Sequence, residues 1–419
     1  MRAVAADVAA GRRRNAAPGI MVHHRQVSAD RLRRARFAVA VLFLTNGAVF
    51  ANLVPRYPEI KADLQLTNTL LGLSVAAFST GALLAGWAAA RIIRRFGAAP
   101  AAVVSSLLLA ALTVAAGAAP SAALFAATLF VAGAVDAVTD VAQNASGLIV
   151  QRDYSRSIIN SLHATWSVGA VTGGGIAAAA MALRIDRVVQ LSATAAVVAA
   201  LCLLCYRHLP AGPEPTAAAT SERVRGSLRS PAVWVPVAAL AALALAGAFV
   251  EDAGSSWAAV YLREDFGAPA AVAATGFIAM VGLQFVGRTL GDRLVDRFSE
   301  RTVVRTGGLL IAAGMGAALA WPSVPMTILG FALAGLGVAT AIPAAFHGAD
   351  NVEGLRPGTG LTIVSWMMRF GFLLSPAVVG VLADALSLRV SLLLVVAAGI
   401  GIALLAATLR STTSAERAE

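Results

Sequence analysis

Long apolar runs separated by short polar bridges dominate the chain, and each run is of the length needed to cross a bilayer as a helix. Six come first, at about Phe37 to Val54, Thr69 to Ala90, Ala99 to Ala118, Ala122 to Val150, Ser157 to Leu183 and Val188 to Tyr206. A polar stretch, Arg207 to Pro231, follows, with Pro210, Pro213 and Pro215, and reads as a flexible linker. Six more runs then appear, at about Val233 to Leu262, Ala268 to Thr289, Val303 to Trp321, Pro325 to Gly348, Gly360 to Leu382 and Arg389 to Leu409. The pattern predicts an all-α integral membrane protein with twelve transmembrane helices in two six-helix repeats. Its expected parts are a disordered basic arm over 1–36, helical bundles over 37–206 and 232–409, a linker over 207–231 and a tail over 410–419.

Composition agrees: 58% apolar residues, 13% charged residues and a mean hydropathy of +0.77 exclude an ordinary water-soluble chain. The net charge of +11 does not indicate nucleic-acid binding, because the arginines sit at the ends of apolar runs instead of forming one basic face. Counted by side, they favour the side holding the N-terminus, the linker and the C-terminus, so both termini are expected in the cytoplasm. Cys202 and Cys205 lie within the apolar run LCLLCY and read as packing residues. Neither a metal site nor a cofactor is expected. A Walker A pattern is absent, and no serine, histidine and acid set converges on one depth, so an enzyme is not expected either.

The two halves are related by a constant offset of 202 residues, which pairs Arg91 with Arg293, Arg95 with Arg297, Phe96 with Phe298, Pro120 with Pro322, Gly133 with Gly335 and Gly169 with Gly371. Such a repeat is the mark of a transporter built from parallel halves. The doubled ARIIRRFG and DRLVDRFS resemble the signature loop of the major facilitator superfamily, and the resemblance extends from about Phe37 to Leu409. The stretches DVAQN, INSLHATWSVG and EDAGSSWAAVYLR are similar to the MosC-like and YbjJ-like branch of bacterial inner-membrane proteins, near the fucose permeases. The resemblance implies alternating access in the inner membrane and a gating loop made by Arg91, Arg94, Arg95 and Gly97 and by Asp292, Arg293, Asp296 and Arg297. Two positions depart from it: Arg94 replaces the acid of the first loop, and Ser299 replaces the glycine of the second. The fifth run has Gly169, Gly173, Gly174 and Gly175 but lacks the proline of the exporter-type motif.

Candidate chemistry centres on Asp136, Asp140 and Asn144, spaced i, i+4, i+8, which form one polar stripe on a helix with about 6 Å between neighbours. Ionisable groups at membrane depth line a solute or proton path by default. A carboxylate whose neutral and charged forms alternate as a cavity opens to either side suits proton coupling, so Asp136, Asp140 and Glu251 are the candidate coupling acids. Glu251 and Asp252 are adjacent and point to different faces, and Glu251 is taken as the one facing a cavity. Arg369, in mid-run, is expected to pair with Glu251, Asp136 or Asp140. Asn46, Asn144, His163, Trp166, Trp257 and Arg369 are the candidate solute contacts, with Trp257 and Tyr261 alternatively forming an interfacial belt. His347 reads as a boundary residue.

These readings converge on a secondary transporter of a small polar solute, a sugar, cyclitol or sugar acid, driven by proton symport. The alternative is a proton-coupled exporter of amphipathic compounds. The expected partners are a small-molecule solute, protons and the lipid bilayer, without nucleic acid, and a monomeric unit is expected.

Overall fold

Within hydrocarbon each backbone N–H and C=O must be satisfied inside the chain, and only helices do so along one apolar segment. The computed structural model describes residues 29–154, 158–210, 231–352, 355, 358–409 and 411, and no strand occurs among them. Most of the basic arm, residues 211–230 of the linker and nearly all of the tail lie outside the described residues.

The first half comprises α1 (Ala29–Leu53), α2 (Tyr57–Asp63), α3 (Asn68–Phe96), α4 (Ala98–Gly117), α5 (Ala122–Tyr154), α6 (Ile159–Ala182) and α7 (Arg187–Tyr206). The second comprises α8 (Pro231–Glu264), α9 (Ala270–Phe298), α10 (Glu300–Ala320), α11 (Val324–Val338), α12 (Ala341–Asp350), α13 (Thr359–Ala385), α14 (Leu388–Ser391) and α15 (Leu393–Leu405). Eleven spans among the described residues are long and apolar enough to cross a membrane. The remaining run, α6, is not one of these: its glycines, threonines and His163 dilute its apolar character. It is nevertheless built into the bundle, packed on α1 and α9. Helix α1 begins at Ala29, inside the stretch expected as a disordered arm, and a 3-10 turn at Val54–Arg56 carries it into α2. The tenth run is interrupted between α11 and α12, and the twelfth between α14 and α15.

Packing repeats between the halves. Helix α1 packs on α6, α3 on α5, and α4 on α5 and α7; correspondingly, α8 packs on α13, α9 on α11, and α10 on α11 and α15. The halves meet through two equivalent seams, α3 with α13 and α9 with α6. The 202-residue offset holds at the level of single atoms. A Cβ on Gly133 would lie 1.9 Å from the Phe78 carbonyl oxygen, and one on Gly335 would lie 2.0 Å from the Met280 carbonyl oxygen. Arg187 Nε donates to the Gly117 carbonyl at 2.6 Å, and Arg389 Nε donates to the Leu319 carbonyl at 2.8 Å. These guanidinium groups satisfy orphan carbonyls at the C-terminal ends of α4 and α10.

The signature loops also share a backbone. Gly97 has φ 88° and ψ 157°, and Ser299 has φ 73° and ψ 152°. Each ends its helix by donating its N–H, to Ile93 and to Val295 respectively. This region belongs essentially to glycine, and a side chain there costs about 1–3 kcal/mol. Ser299 recovers a little by accepting from the Thr302 N–H. Replacing a serine cap by glycine costs only a few tenths of a kcal/mol, so Ser299→Gly is expected to raise the melting temperature in detergent, whereas Gly97→Ser lowers it. Thermal unfolding of both variants checks this, and a lower melting temperature for Ser299→Gly would refute it.

Candidate functional site

Helix α1 approaches α6 closely because glycines stand at the crossing: a Cβ on Gly47 would lie 2.1 Å from the Trp166 carbonyl oxygen. That approach sets Asn46 between α5 and α6. Its Nδ2 donates to Asp136 Oδ1 at 3.0 Å, and its Oδ1 accepts from Trp166 Nε1 at 2.7 Å. An indole N–H can only donate, so the amide oxygen of Asn46 must face Trp166 and its NH2 must face the carboxylate. Three of the candidate residues, Asn46, Asp136 and Trp166, thus form one relay across three helices.

One turn along α5, Asn144 Nδ2 donates to Asp140 Oδ1 at 2.9 Å. His163 of α6 packs edge-on against Phe43, with ring centroids 5.3 Å apart. Asp140 lies within electrostatic reach of His163 and of Arg369 from α13, and His163 within reach of Arg288 from α9. Asp140, His163, Arg288 and Arg369 are all solvent-exposed although they lie between the halves. Asp140 and His163 of the first half therefore face two guanidinium groups of the second, Arg288 and Arg369, across a wet space.

On the facing side, Arg288 Nη2 donates to Glu251 Oε2 at 3.1 Å. This corrects one of the expected pairings, since Glu251 takes Arg288; Arg369 makes no ion pair within 4 Å among the described residues but lies within electrostatic reach of Asp140, another of its expected partners. The signal for Arg288 was present in the sequence, since it falls inside the eighth apolar run. Asp252 points elsewhere; its Oδ1 accepts from Ser256 Oγ at 3.4 Å, and its buried Oδ2 has no hydrogen-bond partner among the described residues. Trp257 and Tyr261 are corrected more strongly. Both are essentially fully buried in a hydrophobic cluster that draws on both halves and includes Tyr57, Leu71, Phe277 and Met280, so they form neither a solute wall nor an interfacial belt. His347 Nδ1 lies in hydrogen-bond contact with Glu300 Oε1 at 3.1 Å and outside the site.

The gating-loop residues Arg91, Arg94, Arg95, Asp292, Arg293, Asp296 and Arg297 lie exposed at the ends of α3 and α9 that border the loops, with Gly97 half-buried in the first turn between helices. Cation–π contacts repeat there, Arg95 over Phe96 at 5.6 Å and Arg297 over Phe298 at 5.3 Å. At the opposite end the halves are joined. Asp384 of α13 accepts from the backbone N–H groups of Asn68 and Thr69 at 2.9 and 2.8 Å, and Lys61 pairs with Glu264. A Cβ on Gly72 would lie 2.1 Å from the Pro376 carbonyl oxygen, so α3 and α13 touch backbone to backbone. The halves are thus joined at the end away from the gating loops, while Asp140, His163, Arg288 and Arg369 stay exposed between them.

A family profile described as Major Facilitator Superfamily matches residues 39–294 and 252–419. The chain is 28% identical over 367 residues to the membrane protein MosC of Rhizobium meliloti, covering 87% of this chain and 88% of that protein. It is 27% identical over 361 residues to the uncharacterized transporter y4wD of Sinorhizobium fredii, covering 85% and 93%. Among solved structures, it resembles the nucleoside transporter NupG, with a TM-score of 0.70, 11% identity and coverage of 89% of this chain and 97% of that one. It also resembles a D-xylose-proton symporter, with a TM-score of 0.70, 14% identity and coverage of 91% and 99%.

The Glu251–Arg288 pair generates a direct test. Arg288→Gln alone leaves the partly buried Glu251 carboxylate without its partner, so that single variant should melt below the double variant Glu251→Gln/Arg288→Gln. The coupling from the four melting curves is expected at about 0.5–3 kcal/mol. Additive single effects would show that the pair contributes nothing.

Proposed function

The chain belongs to the major facilitator superfamily as a multi-pass membrane transporter, and from that premise we propose that it carries a small polar solute together with a proton. The solute class is a sugar, cyclitol or sugar acid. The observation that supports this reading is the pair of opposed faces, Asp136, Asp140, Asn144 and His163 on one half and Glu251, Arg288 and Arg369 on the other. Such a wall offers charge-assisted hydrogen bonds to hydroxyl or carboxylate groups.

In this reading Asp136 is the proton-coupling acid. As a carboxylate it accepts from Asn46, and as a neutral acid it no longer holds that amide equally strongly. Trp166 gives a solute an aromatic edge, and any solute that shifts the indole also releases Asn46 Oδ1, so loading is felt at Asp136 through one side chain. Asp140 with Asn144, His163 and Arg369 contact the solute, while Glu251 exchanges between Arg288 and a proton or solute. The units that rock are the six-helix bundles over 37–206 and 232–409. The arginine asymmetry supports a bacterial inner-membrane location with both termini and the gating loops in the cytoplasm. The state described is then inward-open.

Proteoliposomes containing a pH-sensitive dye test the reading, with sugars, inositols, sugar acids and cationic drugs added outside. A polyol or sugar acid is expected to drive protons inward, and Asp136→Asn is expected to abolish that flux while leaving the protein folded. Outward proton movement driven only by lipophilic cations would overturn the proposal in favour of an exporter.

The joined end makes a second prediction. Asp384→Ala removes a carboxylate from the two N–H groups that open α3, a contact of the capping kind worth about 1 kcal/mol. Opening of that end should become roughly five-fold more populated. Spin labels at Gln65 and Leu386 should show the longer-distance population growing in the variant; an unchanged distribution would exclude the contact as a gate.

A further inference from the structure

Where α1 begins and α7 ends, on the gating-loop side of the spans, the two helices leave a groove of about 850 Å³. Arg33, Arg34, Phe37 and Ala38 line it from α1, and Leu204, Cys205, Arg207 and His208 from the end of α7. The groove lies on the outside of the first half, away from the seams α3–α13 and α9–α6 that enclose the polar site.

Its lining divides by chemistry along the membrane normal. Three guanidinium groups and an imidazole gather at the rim and no acid among the described residues lines the groove, although Asp30 lies 3.2 Å from Arg33 at its edge. Arg207 Nε donates to His208 Nε2 at 3.2 Å, which orients both side chains at that rim. Below the rim the surface is apolar and bare: Phe37 is 67% exposed and Leu204 is 64% exposed, and Leu203 and Val197 continue the exposed face along α7. In a membrane that exposure is contact with acyl chains, and the arginines stand at headgroup level.

We propose that this groove binds the phosphate of an acidic phospholipid in the leaflet on the gating-loop side, with its acyl chains lying along Phe37 and Leu204. The charge supplies the preference for an anionic headgroup, since each guanidinium near the surface contributes on its own and the non-bridging oxygens of a phosphate accept hydrogen bonds from more than one such group. The apolar wall supplies the preference for a lipid over free phosphate, which has nothing to place against a phenyl ring and leucines. The assignment rests on the membrane location of the chain and is independent of which solute it carries.

Native mass spectrometry of the full chain in a neutral detergent tests it, with dioleoyl phosphatidylglycerol, dioleoyl phosphatidylcholine and glycerol phosphate as probes. Phosphatidylglycerol is expected to bind, and the double variant Arg34→Gln/Arg207→Gln to bind it on the order of thirty-fold more weakly. Arg34→Lys/Arg207→Lys, which keeps the charge, should retain most of the affinity, and Arg184→Gln at the far end should be neutral. Equal melting temperatures without lipid exclude misfolding as the cause of a loss. The proposal is overturned if phosphatidylcholine binds as well as phosphatidylglycerol, if the glutamine variant binds undiminished, or if glycerol phosphate alone reproduces the affinity, which would make this a soluble-phosphate site.

Discussion

A charged side chain among apolar helices must find either a partner or water, since an uncompensated ion in a low-dielectric interior costs several kcal/mol. The seam between the halves provides both. Asp136 is met by the Asn46 amide, Asp140 by Asn144, and Glu251 by Arg288, while Asp140, Arg288 and Arg369 also reach solvent. The outward faces of the bundle are left to apolar side chains, many of them bare, as Leu84, Val104 and Leu404 are. Concentrating the ionisable groups at one internal surface makes that surface the place where a solute can be held. It also makes that surface able to change, because partners there are exchangeable for water or solute in a way that packed hydrocarbon contacts are not.

The scaffold around the seam is symmetric and the site is not. Backbone close approaches and caps recur at the 202-residue offset, as with Gly133 and Gly335 or Arg187 and Arg389, and even the backbone angles of Gly97 survive at Ser299. The side chains in the wet space have no such correspondence: Asp136 and Asp140 with an asparagine and a histidine stand on one half, and both arginines with Glu251 on the other. A symmetric frame allows the two ends to close by similar helix contacts, whereas an asymmetric lining gives the solute one orientation. The bonds of Asp384 and Lys61 add polar links between the halves at the end away from the gating loops, beside the close backbone packing of α3 on α13.

Helix α1 ties these features together. One face carries Asn46 to the relay with Asp136 and Trp166, another meets α7 through Thr45 and Cys202, and its first turns bring Arg33, Arg34 and Phe37 to the outer groove. Its early start, at Ala29, keeps those arginines on a helix instead of in a loose arm.

Much of the fold was legible in the sequence because apolar run length and a constant repeat offset are local or one-dimensional properties. The requirement that backbone groups be satisfied within hydrocarbon leaves a helix as the form of each run. The family followed from the same string, through the doubled signature loop. At the site, the identity of the ionisable residues was readable from their cost in an apolar run, so Asp136, Asp140, Glu251 and Arg369 stood out. Their partners were not readable. Arg288 and Glu251 lie 37 residues apart and Asn46 and Asp136 lie 90 apart, and which guanidinium or amide meets which carboxylate depends on helix rotation and on glycine crossings between segments. For the same reason the helical pattern could not say that Trp257 and Tyr261 turn into the core. Rotation about a helix axis is set by packing against neighbours, and only the tertiary structure contains the neighbours.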